Sequence, residues 1–151
     1  MVIQLDSREK THAIKRILET FDSENVKWFV SKLPVGDYIS LDNPRLTVDR
    51  KQNLLEVVQN VCQGHDRFVR ELKRANEYGI KLVVLIEHSH RIKRLEDVVH
   101  WKNPRLAISP LAVSGERLYK IMCSLRDKYG VEWQFCDKQH TGRRIIQILE
   151  R

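Results

Sequence analysis

The sequence predicts an α/β (α+β) domain built on a central mixed β-sheet flanked by helices, and three observations carry that expectation. Segments with helical spacing of apolar residues alternate with strand-like ones, as where "HAIKRILETF" gives way to "VKWFVSKL". A hairpin-like group, "DYISL" followed by "RLTVDRK", comes early in the chain. "IKLVVLIE" is a near-continuous apolar run, as expected of a strand buried on both faces.

The elements follow in order. "MVIQLDS" alternates like a strand, and Ala13, Ile14, Ile17, Leu18 and Phe21 form one face of a first helix. After the strands "VKWFVSKL", "DYISL" and "RLTVDRK", the period changes at Asn53, where Leu54, Leu55, Val57, Val58 and Val61 suit a helix that breaks near Gly64. "DRFVRELKRANEYG" forms another, with Phe68, Leu72 and Ala75 on its apolar face and Gly79 as its stop. The stretch from His88 to Ala112 is the least regular. Ser114 is placed to cap the helix "GERLYKIMCSLRDKYG", the strand "VEWQFC" follows, and Thr141 is expected to cap "GRRIIQILE". No linker interrupts this order, so residues 1–151 read as a single domain.

At 151 residues, 42% hydrophobic and 31% charged, the composition is that of a soluble globular protein. The N-terminus lacks the long apolar core of a secretory signal, and "LVVLI" at 82–86 is too short to cross a bilayer, so a cytoplasmic protein without a membrane partner is expected. Cys62, Cys123 and Cys136 are odd in number and widely spaced, which suits ordinary thiols in a reducing compartment. Lys and Arg total 27 against 20 acidic residues, a net charge of +7 that biases encounters toward polyanions, nucleic acid foremost.

The most informative stretch is "LTVDRKQNLLEVV" at 46–58. Side chains alternate across a strand, so Asp49 and Lys51 share one face while Arg50 projects from the other. The plain alternative is a surface pair worth roughly 0 to 1 kcal/mol. Other polar residues also cluster at strand ends: Asp6, Arg8 and Glu9 after the first strand, Asp37 after "PVG", and Glu87 after the apolar run. If these strands are neighbours in one sheet, several carboxylates converge beside one lysine.

"LDSRE" (5–9), "GDYI" (36–39), "VDRK" (48–51) and "FVRELKRA" before "LVVLIE" together resemble the nuclease domain of the XPF-type structure-specific endonucleases, which include the archaeal helicase-associated nuclease Hef. The resemblance spans residues 3–87 in order and extends to short, stand-alone versions of the domain in bacteriophages of Gram-positive bacteria. It implies a restriction-endonuclease-like core of the PD-(D/E)XK superfamily and a requirement for Mg²⁺ or Mn²⁺. It further implies Asp37 and Asp49 as the main metal ligands, with Asp6 as an additional carboxylate. Lys51 would orient or help deprotonate the attacking water and offset developing charge. Arg8 and Arg50 would hold phosphates or lock the acids, and Glu9 would join the outer shell.

Two departures stand out. The family's usual Glu is Asp49 here, one methylene shorter. The final Asp of the family pattern falls on Leu55, with Glu56 one position late, a shift of about 100° on a helix.

Further candidates are weaker. "EHSH" offers Glu87, His88 and His90, but no other residue completes a zinc-like spacing. Arg67, Arg70 and Arg74 form a basic stripe at i, i+3 and i+7, equally a DNA-tracking face and a solvated one. The irregular segment adds Arg91, Lys93, Arg94, Lys102 and Arg105 around Trp101, which either stacks on an unpaired base or fills the core.

The resemblance therefore implies a metal-dependent DNA endonuclease acting on branched, flap or fork DNA in phage or bacterial recombination, repair or replication, working as a homodimer. The alternative is a catalytically inactive DNA-binding or dimerisation module of the same fold. Nothing in the sequence reads a 2′-hydroxyl, so an RNA substrate is left to competition.

Overall fold

The computed structural model describes residues 1–88 and 91–151, so His90 of the "EHSH" stretch lies outside the described residues. Six strands form one mixed sheet: β1 (Val2–Leu5), β2 (Lys27–Val30), β3 (Tyr38–Ser40), β4 (Asn43–Lys51), β5 (Lys81–Glu87) and β6 (Glu132–Cys136), in the order β2-β1-β3-β4-β5-β6. The early hairpin reading holds, since β3 pairs antiparallel with β1 and β4. From β4 onward the sheet is parallel, with Asp49 opposite Val84 and Lys51 opposite Ile86.

Helices cover both faces. On one, α2 (Leu54–Val58), α3 (His65–Glu77) and α4 (Gly115–Tyr129) pack Leu54, Phe68, Leu72 and Met122 against Leu82, Val84, Ile86 and Phe135. On the other, α1 (Lys15–Ser23) and α5 (Thr141–Leu149) pack Ile17, Phe21, Ile145 and Ile148 against Ile3, Leu5, Val48, Val83 and Leu85. The alternation within β5 explains its continuous apolar sequence: odd and even residues feed different cores.

Local chemistry accounts for most boundaries. Asn53 accepts from the Glu56 N–H while a Glu56 oxygen accepts from Gln52 N–H, a reciprocal cap that starts α2. A wide turn over Gln59–Gln63, closed by Gly64 N–H on the Gln59 carbonyl at 2.7 Å, separates α2 from α3. Ser114 caps α4 as predicted, accepting from Arg117 N–H at 3.2 Å. Thr141 does not cap α5: that place is taken by His140, and the Thr141 hydroxyl instead donates to Glu87 Oε1 at 3.1 Å. The irregular segment resolves into short 3₁₀ turns at Leu95–His100 and Pro104–Ala107. Trp101 packs, partly buried, against the α2–α3–α4 core, which matches the packing reading of that residue. No helix among the described residues is long and apolar enough to cross a membrane.

Candidate active site

β4 is the backbone of the site, because its two faces do different work. Thr47, Asp49 and Lys51 look toward α2 and α3, whereas Leu46, Val48 and Arg50 look toward α5. Asp37, immediately before β3, is tied to the sheet by its own N–H on Val48 O and by its carbonyl, which accepts from Asp6 N–H, each at 2.8 Å. Its Oδ2 accepts from Arg50 N–H at 2.8 Å. The same residue that sends its guanidinium to the far side thus holds Asp37 in place with its backbone.

Gly36 makes this placement possible. Its φ is +74°, and a Cβ there would stand 2.1 Å from Thr47 Oγ1. The Thr47 hydroxyl lies 3.1 Å from Val35 O and 3.2 Å from Tyr38 O, pinning the turn from both sides.

A cavity of about 650 Å³ opens above these residues, lined by Asp37, Asp49 and Lys51 on the sheet side and by Arg67, Arg70, Glu71 and Arg74 from α3. Asp49 is 4% exposed, and its Oδ2 is the buried side-chain oxygen without a hydrogen-bond partner among the described residues. Lys51 Nζ stands 3.3 Å from that oxygen. Burial, the charge of Asp49 and a close approach of the two carboxyl groups push the Asp37 pKa well up, although Arg50 N–H opposes the shift. Two carboxyl groups that interact this strongly relieve their repulsion either by keeping a proton between them or by taking up a cation. Lys51 meets part of that need: burial works against its charge, but Asp49, Asp37 and Glu56 hold its pKa above the usual lysine range.

The donor set fits a hard divalent cation. Mg²⁺ takes oxygen ligands, keeps several waters, and is commonly held by one or two carboxylates plus substrate phosphates. Asp37 and Asp49, with the unpartnered Oδ2, supply such a seat. Among the described residues no ready-made group of three or more Asp, Glu, His or Cys ligands exists, so the remaining positions would fall to water and phosphate.

Asp6, Glu9 and Glu87 do not join this cavity. Asp6 is fully buried, and both its oxygens are engaged: Oδ1 accepts from Leu33 N–H at 2.7 Å and Oδ2 from Arg8 Nε at 2.5 Å. Burial pushes its pKa up, yet the hydrogen bonds from Leu33 and Arg8 outweigh this and hold it below the usual aspartate value. Arg8 itself reaches the cavity, with its side chain 64% exposed. Glu9 and Glu87 lie on the opposite face of the sheet. There Arg50 Nε donates to Glu9 Oε2 and Nη1 to Glu87 Oε1, each at 3.2 Å, and Tyr38 OH donates to Glu9 at 2.6 Å. Against the opposing effect of burial, Glu9, Tyr38 and Glu87 keep Arg50 charged.

The basic residues divide likewise. Arg67, Arg70 and Arg74 line the cavity, while Arg91, Lys93, Arg94 and Lys102 are exposed outside it. Lys93 borders a smaller cavity of about 220 Å³ with Cys136, His140 and Arg144. Leu55 is not in the cavity lining, and Glu56 lines it while also capping α2. Sequence reasoning passed over Glu71, although it lies on the arginine stripe itself, four residues after Arg67 and three before Arg74.

Fold and site geometry together define a nuclease-type α/β domain, and the chain belongs to the ERCC4 domain family, whose model matches residues 5–148. Its fold is that of an XPF nuclease domain. The solved structure of XPF from Aeropyrum pernix superposes with a TM-score of 0.68 at 20% identity, covering 99% of this chain and 64% of that one. XPF from Aeropyrum pernix in complex with DNA gives 0.68 at 19% identity, covering 99% and 63%. The chain therefore spans less than two thirds of either structure. No curated protein matches the sequence.

The crowding of Asp37 and Asp49 has a measurable consequence. A carboxyl whose folded pKa is raised binds its proton more tightly in the fold, so stability falls as pH rises from the unfolded value near 4 toward the folded one. In chelator, Asp37→Asn is expected to raise the melting temperature at neutral pH by about 3 °C, the equivalent of about 1 kcal/mol, and to flatten that pH dependence. Melting curves across pH 4 to 8 check this; a variant less stable than wild type throughout contradicts it.

Proposed function

We propose that this domain is a divalent-metal-dependent DNA endonuclease that hydrolyses phosphodiester bonds in branched, flap or fork DNA. The reading rests on one observation above all: the buried oxygen of Asp49 that accepts no hydrogen bond, paired with Lys51 beside Asp37, in an arginine-lined cavity. Asp37 and Asp49 are the residues that would hold Mg²⁺ or Mn²⁺, which when bound supplies positive charge to a phosphate oxygen and acidifies a water.

The chain's own residues do the rest. Lys51, held charged by its acidic neighbours, faces the scissile phosphate and offsets the negative charge that builds on its oxygens. It is a donor that orients water rather than a base that takes its proton. Asp6 acts as the anchor of Arg8, steadying the guanidinium that meets phosphate at the cavity mouth. Arg50 contributes through its backbone N–H, which fixes the Asp37 carboxylate. Arg67, Arg70 and Arg74 follow the DNA backbone along α3, and Arg91, Lys93, Arg94 and Lys102 form a second strip outside the cavity.

The likeness to XPF from Aeropyrum pernix solved in complex with DNA supports DNA as the partner. A homodimer is proposed from the family resemblance, and the exposed Leu106, Ile108 and Leu111 offer apolar surface for it. A place in phage or bacterial DNA processing is proposed from the same resemblance, and a cytoplasmic location from the sequence reading above. The inactive-module alternative predicts binding without cutting.

The deciding experiment incubates labelled fork, flap and linear duplex with Mg²⁺, Mn²⁺ or chelator, with RNA as competitor. Cutting that needs metal and prefers forks or flaps supports the proposal; tight binding with no cleavage in any metal supports the inactive module. Salt titration tests the arginine wall. Each of Arg67→Ala, Arg70→Ala and Arg74→Ala is expected to lower the slope of log K against log salt by about 0.9. An unchanged slope in the triple variant places the DNA elsewhere.

A further inference from the structure

We propose that Glu71 is a third acid of the cation seat, gripping the hydrated ion through its water shell from the α3 side of the cavity. This rests on the metal-dependent reading above and adds to it a residue from a different element. Glu71 lines the same cavity as Asp37 and Asp49 and is only partly exposed. Its Oε1 accepts from Gly36 N–H across 3.4 Å, a long contact that turns the carboxylate toward the segment carrying Asp37. Asp49 repels it, while Lys51 and Arg8 attract it.

The placement of charge points the same way. Asp37, Asp49 and Glu71 bring three carboxyl groups to one cavity, where Lys51 pairs with Asp49 and Arg8 with Asp6, and Arg67, Arg70 and Arg74 line the same cavity. The buried Asp49 Oδ2, which accepts no hydrogen bond and has Lys51 as its one close partner, independently marks where a cation would sit. Direct coordination by all three acids is not what the geometry offers, since no three-ligand cluster is assembled among the described residues. A hydrated ion would resolve this: Asp37 and Asp49 would hold it, and Glu71 would accept hydrogen bonds from its waters. The other acid in the lining, Glu56, already gives an oxygen to Gln52 N–H.

The test is Mn²⁺ binding to the intact protein, followed by electron paramagnetic resonance of the free ion, for wild type, Glu71→Gln and Asp49→Asn. Gln keeps the acceptor for Gly36 N–H but removes the charge, so a purely structural Glu71 leaves binding unchanged. The expected result is Kd weakened about 10-fold in Glu71→Gln, with a smaller rise in melting temperature on adding Mn²⁺. Wild-type affinity in Glu71→Gln together with lost affinity in Asp49→Asn overturns the role of Glu71 and leaves the nuclease reading intact. Absence of Mn²⁺ binding in the wild type overturns both. Should Glu71→Gln fail to fold by circular dichroism, Glu71→Ala is read by the same titration.

Discussion

Asp49→Asn is expected to reduce metal-dependent cleavage by about 10³-fold while leaving duplex affinity within about 3-fold. Asp49 Oδ2 is buried and accepts no hydrogen bond among the described residues, its one close partner being the Lys51 ammonium, so it keeps capacity for a further cation. Affinity for DNA is expected to come instead from Arg67, Arg70 and Arg74, which line the cavity from α3. Lys51→Ala belongs to the same prediction, with a loss of about 10²-fold or more, because it removes the ammonium 3.3 Å from that oxygen. Single-turnover cleavage of a labelled fork measures the first quantity and equilibrium anisotropy the second. Cutting at the wild-type rate in both variants would put the chemistry at another site.

Gly36→Ala is the second large effect, this time on the fold. At φ +74° any residue with a Cβ is strained by about 1 kcal/mol. Here the new methyl group also meets Thr47 Oγ1 at 2.1 Å and Thr47 Cγ2 at 2.9 Å, so the turn or the strand must move. Together the two terms are expected to cost about 3 kcal/mol and to lower the melting temperature by about 10 °C. Because Asp37 follows directly, cleavage falls as well. Adding Thr47→Ala removes the Oγ1 and Cγ2 contacts but keeps Cβ at 3.1 Å, leaves the backbone strain and loses the Thr47 hydroxyl, so the double variant recovers only part of the clash cost. A Gly36→Ala melting curve superimposable on that of wild type contradicts the contact.

How far the sequence foretold this depends on the distance over which each feature is decided. The shared face of Asp49 and Lys51 follows from strand alternation alone, and the structure keeps it. The separation of Arg50 from them follows from the same rule, yet where its guanidinium ends depends on α5 arriving beside β4 and β5, which no local pattern states. Glu9 and Glu87 read as members of one acidic group because they end strands; sheet order and facing send them to the opposite side. Thr141 carries a cap residue's chemistry at a helix start, and tertiary demand from buried Glu87 takes its hydroxyl instead. Glu71 was hidden because an acid on the polar face of an amphipathic helix looks like ordinary solvated surface. Only the packing of α3 over β4 and β5 turns that face inward.

Arg50 spans the sheet, its amide on the side of the acids and its guanidinium in the Glu9–Tyr38–Glu87 network behind. A mutational library scored for turnover should therefore light up on both sides of the protein. Positions such as Tyr38 and Thr141, both buried, would rank among the sensitive ones, and their loss would slow the reaction without loosening the grip on substrate. Engineers seeking tolerant places for tags or grafts should keep away from that rear surface as carefully as from the cleft.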